Sequence, residues 1–295
     1  MKNQTTFSIL ILVVFPLFMF GQNLPSLLTD KNINSTFSIL AYDESAQEWG
    51  IAVATNNIYV GNSTIYIAPK VGAFSVIAET EPNYGIKGLE KLSAGKSIEQ
   101  AIIEVRDTDN GANYRQVAGV DASGHVFAFT GGSLKYWNGH SSEILGNDYV
   151  VLGNQLAENV LTDMSKTFEN SKGTLAKRLL ESLVAGQKAG GQISGKQSAA
   201  LVVKGTDHMW YDQIDLRVDN SKNPIQELTT LLDYHYGRIR LNQALFAQRE
   251  GNLQRAKQKL TEAEAMLDGW TGIYAKIAGA HIALENENSA VYWIK

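Results

Sequence analysis

The chain has 295 residues, with 26 Lys and Arg against 30 Asp and Glu, a formal charge of −4 and no cysteine. The lack of cysteine excludes a disulfide framework, a thiol nucleophile, a thiolate metal site and a lipidated N-terminal cysteine. With a pI near 5.8 and no basic block, nucleic acid is excluded as a partner class, because phosphate binding needs clustered Lys and Arg.

The chain opens with Lys2, an apolar run from Phe7 to Phe20 that Pro16 interrupts, and the step Met19-Phe20-Gly21 before Gln22. This is the layout of a signal peptide over 1–21, cut between Gly21 and Gln22. The run is short for a membrane span and no second one follows. The mature protein is therefore expected to be exported, periplasmic or extracellular, with no membrane span after signal removal. Residues 22–35 read as a linker or propeptide.

A strand is predicted at Thr36–Asp43, where apolar residues alternate, followed by a polar turn at 44–48 and a small-residue strand at 50–54. Strands at 64–68 and 73–78 flank Pro69-Lys70-Val71-Gly72, a turn with Pro and Gly in the favoured places. Runs this apolar need cover on both faces. Helices follow at 84–93, stopped by Gly95, and from the capping box Ser97-Ile98-Glu99-Gln100 to Arg106. Ala122-Ser123-Gly124 joins hairpin strands at 116–121 and 125–130, and a short strand falls at 149–153. Helices at 156–169 and 174–189 end at Gly190-Gly191. Strands at 198–204 and 214–219 precede a helix from Pro224. The order of elements gives an α+β fold with antiparallel sheets and helices outside.

From about Gly237 the pattern is helical only. Asn252 and Ala256 recur as Asn286 and Ala290, at the 34-residue period of tetratricopeptide units. An ordinary helical hairpin packed on the domain gives the same local pattern. The expected organisation is a domain at 36–235 and a small all-α repeat-like appendage at 236–295.

Thr36 carries the functional reading. If the Ser35–Thr36 bond were cut, one residue would supply both a nucleophilic hydroxyl and a base, its α-amine, with a pKa near ~8. The plainer reading is a β-branched residue opening a strand. Amide hydrolysis also needs donors at the developing oxyanion. Asn83, Asn154 and the Gly131 amide are candidates, and each also suits a turn or a cap. Glu79, Tyr84 and Ser198 are candidates for substrate binding. His140 is a weak catalytic candidate. His125, His208, His235 and His281 show no ligand spacing, so neither metal nor cofactor is expected.

Ordered motifs run through the α+β region: Thr36-Phe37-Ser38-Ile39, Gly72-Ala73, Asn83-Tyr84-Gly85 with Gly88-Leu89, Arg115-Gln116-Val117, Val120-Asp121 and Thr130-Gly131. They continue with Trp137-Asn138-Gly139-His140, Gly153-Asn154, Ala189-Gly190-Gly191, Gln197-Ser198-Ala199-Ala200 and Leu216-Arg217-Val218-Asp219. Over residues 36–232 this set resembles the bacterial domain-of-unknown-function family 1028, which is placed with the N-terminal-nucleophile (Ntn) hydrolase-like proteins. The resemblance implies a four-layer αββα sandwich and a threonine exposed by removal of one Met. Here a signal and linker stand in front, so autoproteolysis at Ser35–Thr36 is the route that would free the amine. The Asp and Lys of proteasome-like members fall near Asn56 and near Ser63 or Thr64. In the family the loop at Gly190-Gly191 usually reads Gly-Asp with arginines following, which Gln192, Ile193 and Ser194 replace in large part. Two functions remain open. One is an exported amidohydrolase acting on a small amide or peptide. The other is a non-catalytic envelope binding module whose helices at 236–295 recruit a protein partner. A homodimer is compatible with either.

Overall fold

The computed structural model describes residues 35–209 and 212–294. The expected signal peptide at 1–21, its cut between Gly21 and Gln22, and the linker up to residue 34 lie outside the described residues. Among the described residues no helix is long and apolar enough to cross a membrane.

The described chain is a mixed α+β structure on two antiparallel sheets. Six strands form the first: β1 (Thr36–Asp43), β2 (Glu48–Thr55), β7 (His140–Leu145), β8 (Tyr149–Leu156), β9 (Ser198–Gly205) and β10 (Ile214–Val218). Their order is β10-β9-β2-β1-β8-β7. The second holds β3 (Ile65–Ala68), β4 (Gly72–Ala78), β5 (Arg115–Asp121) and β6 (Val126–Thr130), in that order.

Strand β1 explains why both faces are covered. Its period of two puts Phe37, Ile39 and Ala41 on one face and Ser38, Leu40 and Tyr42 on the other, and all six are buried. Phe37, Ile39 and Ala41 pack with Met164 and Phe168 of α3 (Val160–Asn170), Leu179 and Leu183 of α4 (Leu175–Lys188), and Leu228 of α5 (Pro224–Arg249). Leu40 and Tyr42 join Ile51 and Val53 against Ala73, Ile77, Ala118 and Val120 of the second sheet. The outer face of that sheet buries Phe74, Val76 and Val117 under α1 (Asn83–Ser93) and α2 (Ile98–Arg106), through Tyr84, Ile98 and Ile102. Each large apolar side chain buried in these layers contributes about 1.5–3 kcal/mol.

The expected boundary between 235 and 236 falls inside α5. Ile225, Leu228 and Leu232 belong to the core beneath the first sheet. Leu241 and Ala244 belong to a separate core with Leu260 and Ala263 of α6 (Leu253–Leu267), Ile277 of α7 (Tyr274–Ala283) and Ala290 of α8 (Glu287–Tyr292). Asn252 caps α6 by accepting the Arg255 N–H at 3.1 Å, and Asn286 caps α8 from Ser289 at 3.3 Å. Ala256 and Ala290 are both buried.

Two element predictions are corrected. The helix expected at 156–169 starts at Val160, because β8 continues through Asn154, Gln155 and Leu156, all buried, with Asn154 paired to β1 and Leu156 to β7. Polar residues there suit a helix or loop by propensity, but partners supplied from other strands override it. Strand β7 was not foreseen. It lies on the sheet edge with a half-solvated His-Ser-Ser-Glu pattern, which carries no apolar run. The capping box at Ser97 and Gln100 forms as expected.

Candidate active site

Thr36 pairs with Asn154 of β8 on one side and with Thr55 of β2 on the other, and Thr55 pairs onward with Ser198 of β9. Four polar residues thus lie in a row across four strands, and all are buried. Such a row must satisfy its own hydrogen bonds. The Thr36 N–H donates to Asn154 Oδ1 at 3.2 Å, and Asn154 Nδ2 donates to Gln116 Oε1 at 3.2 Å. Gln116, from the second sheet, anchors the arrangement by donating Nε2 to the carbonyls of Ser142 and Gly153, each at 3.0 Å.

The hydroxyls have a defined direction. Thr55 Oγ1 donates to the Ser35 carbonyl at 2.9 Å, so its single proton is committed. Thr36 Oγ1, 2.8 Å from Thr55 Oγ1, is then the donor to it. The Ser35 carbonyl also accepts the Asn56 N–H at 3.1 Å and Gln192 Nε2 at 3.4 Å. The carbonyl immediately before Thr36 therefore receives three donors. Ser35 Oγ is bonded to Ser194 Oγ, and Asn56 Nδ2 donates to the Ser194 carbonyl at 2.9 Å. Gln192 and Ser194 are set in place by the helix stop after α4, where Gly190 and Gly191 take φ of 117° and 58°.

A cavity of about 80 Å³ adjoins Thr36 where the first sheet meets the end of β4. Thr36, Thr55, Tyr59, Ser63, Thr64 and Thr80 supply hydroxyls to it, and Asn57, Val60, Ile77 and Ala78 complete the wall. Among the described residues, no Asp, Glu, Lys, Arg or His lines it. Ala78 takes φ of 67° where β4 ends, and Gln155, beside Asn154, takes 52°. Left-handed conformations at residues other than glycine cost on the order of 1–3 kcal/mol and collect at functional sites.

The expected residues separate into two groups. Thr36, Asn154 and Ser198 share the row. Asn154 offers an acceptor to the Thr36 amide while one N–H of its Nδ2 donates to Gln116, so it is placed to hold the threonine nitrogen. Ser198 Oγ donates to the Asn57 carbonyl at 2.7 Å, which ties down the loop that walls the cavity. The others lie outside the row, and of the expected residues only Thr36 lines the cavity. The Gly131 N–H donates to the Arg115 carbonyl at 2.9 Å, so it is not a free oxyanion donor. A Cβ at Gly131 would lie 2.4 Å from the Asn113 carbonyl oxygen, which explains the glycine. The Asn83 N–H is taken by Glu81 Oε1 at 3.0 Å at the start of α1. His140 is exposed at the start of β7, opposite Leu156.

Tyr84 and Glu79 belong to a neighbouring cluster. Tyr84, in the first turn of α1, is fully buried against the second sheet and donates its hydroxyl to Asp109 Oδ2 at 3.3 Å. Burial, reinforced by Asp109, pushes its phenol far above the usual range. Arg115 Nε donates to Asp109 Oδ2 at 2.9 Å, and Arg115 Nη1 donates to the Glu79 carbonyl at 3.0 Å and lies 3.7 Å from its carboxylate. Burial alone would raise the Asp109 carboxyl, but hydrogen bonds from Arg115 and the Gly111 N–H outweigh it and hold the group below its ordinary value. This cluster braces the segment after β4. Among the described residues, no group of three His, Asp or Glu side chains could hold a metal ion.

Sequence reasoning missed Thr55, Gln116, Gln192 and Tyr59. Thr55 was within reach, since the tight turn pairing Asp43 with Glu48 fixes a register that places Thr55 opposite Thr36. Gln116 and Gln192 arrive from distant parts of the chain and carried no local signal.

Residues 36–228 match the model of a family described as "Family of unknown function (DUF1028)". The match starts at Thr36 itself. Among solved structures, the chain is similar to the crystal structure of protein SPO2555 from Silicibacter pomeroyi, which is described with the same family. The two are 32% identical with a TM-score of 0.61, over 67% of this chain and 84% of that one. No curated protein matches the chain. The chain thus belongs, through the region that contains the Thr36 row and its cavity, to the family of unknown function DUF1028.

Proposed function

We propose that this protein is an exported Ntn-type amidohydrolase that frees its own nucleophile, Thr36, by cutting the Ser35–Thr36 bond. The observation that carries the reading is the Ser35 carbonyl with three donors on it, next to a hydroxyl already hydrogen-bonded to one of them. Two sheets packed face to face with helices on each outer face correspond to the αββα layering of Ntn proteins. The family segment begins at Thr36, and the residues ahead of it are the expected signal peptide at 1–21 and the linker or propeptide at 22–35.

The donors define a route. Thr36 Oγ1 adds to the Ser35 carbonyl carbon while its proton passes to Thr55, which gives its own to the carbonyl oxygen. The Asn56 N–H and Gln192 Nε2 stabilise charge that develops there. On collapse the adduct's O–H proton passes to the nitrogen, the C–N bond breaks, and the re-formed carbonyl is that of an ester linking Ser35 to Thr36. Water hydrolyses the ester, releasing the Ser35 carboxylate and restoring the Thr36 hydroxyl beside a free α-amine. Asn154 Oδ1 then holds the amine. Among the described residues no ionised side chain lines the cavity, and that amine serves as the base for substrate hydrolysis.

Mass spectrometry of the purified full-length chain tests this. The mature protein is expected to begin at Thr36, and Thr36→Ala to stay uncut at this bond. A folded wild-type protein that always retains Ser35 would falsify the reading.

A second reading is a binding module that recruits a protein through its helical tail. It draws on the exposed apolar side chains Phe246, Leu253, Val291 and Tyr292. The paired caps Asn252 and Asn286 and the buried Ala256 and Ala290 fit tetratricopeptide-like units. Partner capture that survives Thr36→Ala and is lost on removing the tail would favour it.

A further inference from the structure

The period of two that turns Phe37 of β1 toward the helices covering the first sheet puts Ser35 on the same face. The Ser35 hydroxyl is bonded to Ser194, in the loop after α4. In the same loop, Lys196 Nζ donates to Asn223 Oδ1 at 3.1 Å, just ahead of α5. The chain that precedes Ser35 therefore joins the fold near the end of α4 and the start of α5. A groove opens there. Val184, Gln187, Lys188, Lys196, Ile225 and Thr229 line its near part. Leu180, Leu232, Tyr236 and Met266 line its far part, and Val184, Lys188 and Thr229 border both, so the two parts are continuous. Leu180, Ile225 and Leu232 belong to the core beneath the first sheet and Val184 packs against it, which makes the floor apolar. From Ile225 to Tyr236 the groove follows α5 for about 16 Å.

Residues 22–34, which lie outside the described residues, are attached to Ser35 and can span at most about 45 Å. They carry Leu24, Leu27 and Leu28, and their charged residues are Asp30 and Lys31. We propose that the groove between α4 and α5 is the docking site of this segment of the same chain. Its leucines lie over Leu180, Val184 and Leu232, and Asp30 lies at the end bordered by Lys188 and Lys196. A segment tethered at Ser35 meets the groove at an effective concentration on the order of millimolar, so a weak apolar contact keeps it seated. Docking removes the leucines and the groove floor from water, and it holds the chain that leads into the Ser35 carbonyl. The assignment does not rest on the chemistry of Thr36. A cut at Ser35–Thr36 would end the tether and free the groove.

The chain contains no cysteine, so two introduced cysteines are its only thiols. The experiment uses the full-length chain carrying Thr36→Ala, which keeps the segment attached, and intact mass verifies that residues 22–34 are present. Leu27→Cys is combined either with Val184→Cys in the groove or with Tyr59→Cys, an exposed position that borders the Thr36 cavity and lies outside the groove. Thr229→Cys replaces Val184→Cys should that variant not fold. After mild oxidation the disulfide to Val184 is expected, within a monomer, in at least about fivefold greater yield than the one to Tyr59. Adding Leu24→Asp and Leu28→Asp should bring the Val184 yield down to the Tyr59 yield. Equal yields at the two positions, or a Val184 disulfide unaffected by the two Asp substitutions, overturn the proposal. Dimers linked through Val184 overturn it as well and assign the groove to a second copy of the chain.

Discussion

The residue that decides the chemistry of the site, after Thr36 itself, is Thr55. Its hydroxyl accepts a hydrogen bond from Thr36 Oγ1 on one side and donates to the Ser35 carbonyl on the other. Thr55→Val keeps the shape and β-branching but removes both bonds. We expect maturation, followed by intact mass, to slow by about 10²–10³-fold, the usual cost of one oxyanion donor. The fold should lose only about 1 kcal/mol. Equal processing rates for the variant and wild type would rule out the relay. Asp109 is a residue of stability instead. Its carboxyl is held below the ordinary value by Arg115 and the Gly111 N–H. Its contribution is therefore present above the unfolded value of about 4 and is lost as pH falls through the folded value. Asp109→Asn should cost about 1–2 kcal/mol at pH 7, moderated by solvent at the rim of the cluster. In denaturant melts the gap from wild type should narrow as pH falls below the unfolded value of about 4. A gap independent of pH would show that the carboxylate charge is not what matters.

At the scale of elements, the motif Asn83-Tyr84-Gly85 with Gly88 proves to concern packing. A Cβ on Gly85 would sit 2.1 Å from the Tyr66 ring of β3, and one on Gly88 2.7 Å from the Phe74 ring of β4. Helix α1 thus lies close on the second sheet because it lacks side chains at these two points. Gly85→Ala gains helix propensity but must push α1 off β3. We expect a net loss of about 1–3 kcal/mol, measured by thermal or denaturant unfolding; an unchanged or raised stability would contradict the contact. The sequence showed the helix and its glycines, and a single chain could not show what the glycines face. The reverse holds for β1 and β2, where a short turn fixes the register and makes the Thr36–Thr55 pair a local consequence of the hairpin.

At the scale of the whole molecule, two cores share α5. Residues up to Leu232 serve the core under the first sheet, and those from Leu241 serve the tail core. Removing residues 238–295 should therefore leave the sandwich folded and Thr36 processing unchanged. The melting temperature should stay within about 4 °C of the full chain, equivalent to roughly 1 kcal/mol for a domain of this size. Loss of processing in a folded truncation would mean that the tail contributes to the site. By itself the sequence determined the elements with strong local signals: the alternation of β1, the capping box of α2, the stop at Gly190-Gly191 and the α+β order. It also singled out Thr36, because a hydroxyl at a strand start needs no distant partner to be noticed. The tertiary structure alone decided what surrounds that hydroxyl. Asn154 of β8 takes the Thr36 N–H, Gln116 of β5 holds Asn154, and Gln192 from the loop after α4 donates to the Ser35 carbonyl, while expected donors such as Gly131 turn out to be committed elsewhere. The physical reason is that hydrogen bonds between buried polar groups are set by the packing of distant strands, and no periodicity within one stretch of chain records which partner will arrive.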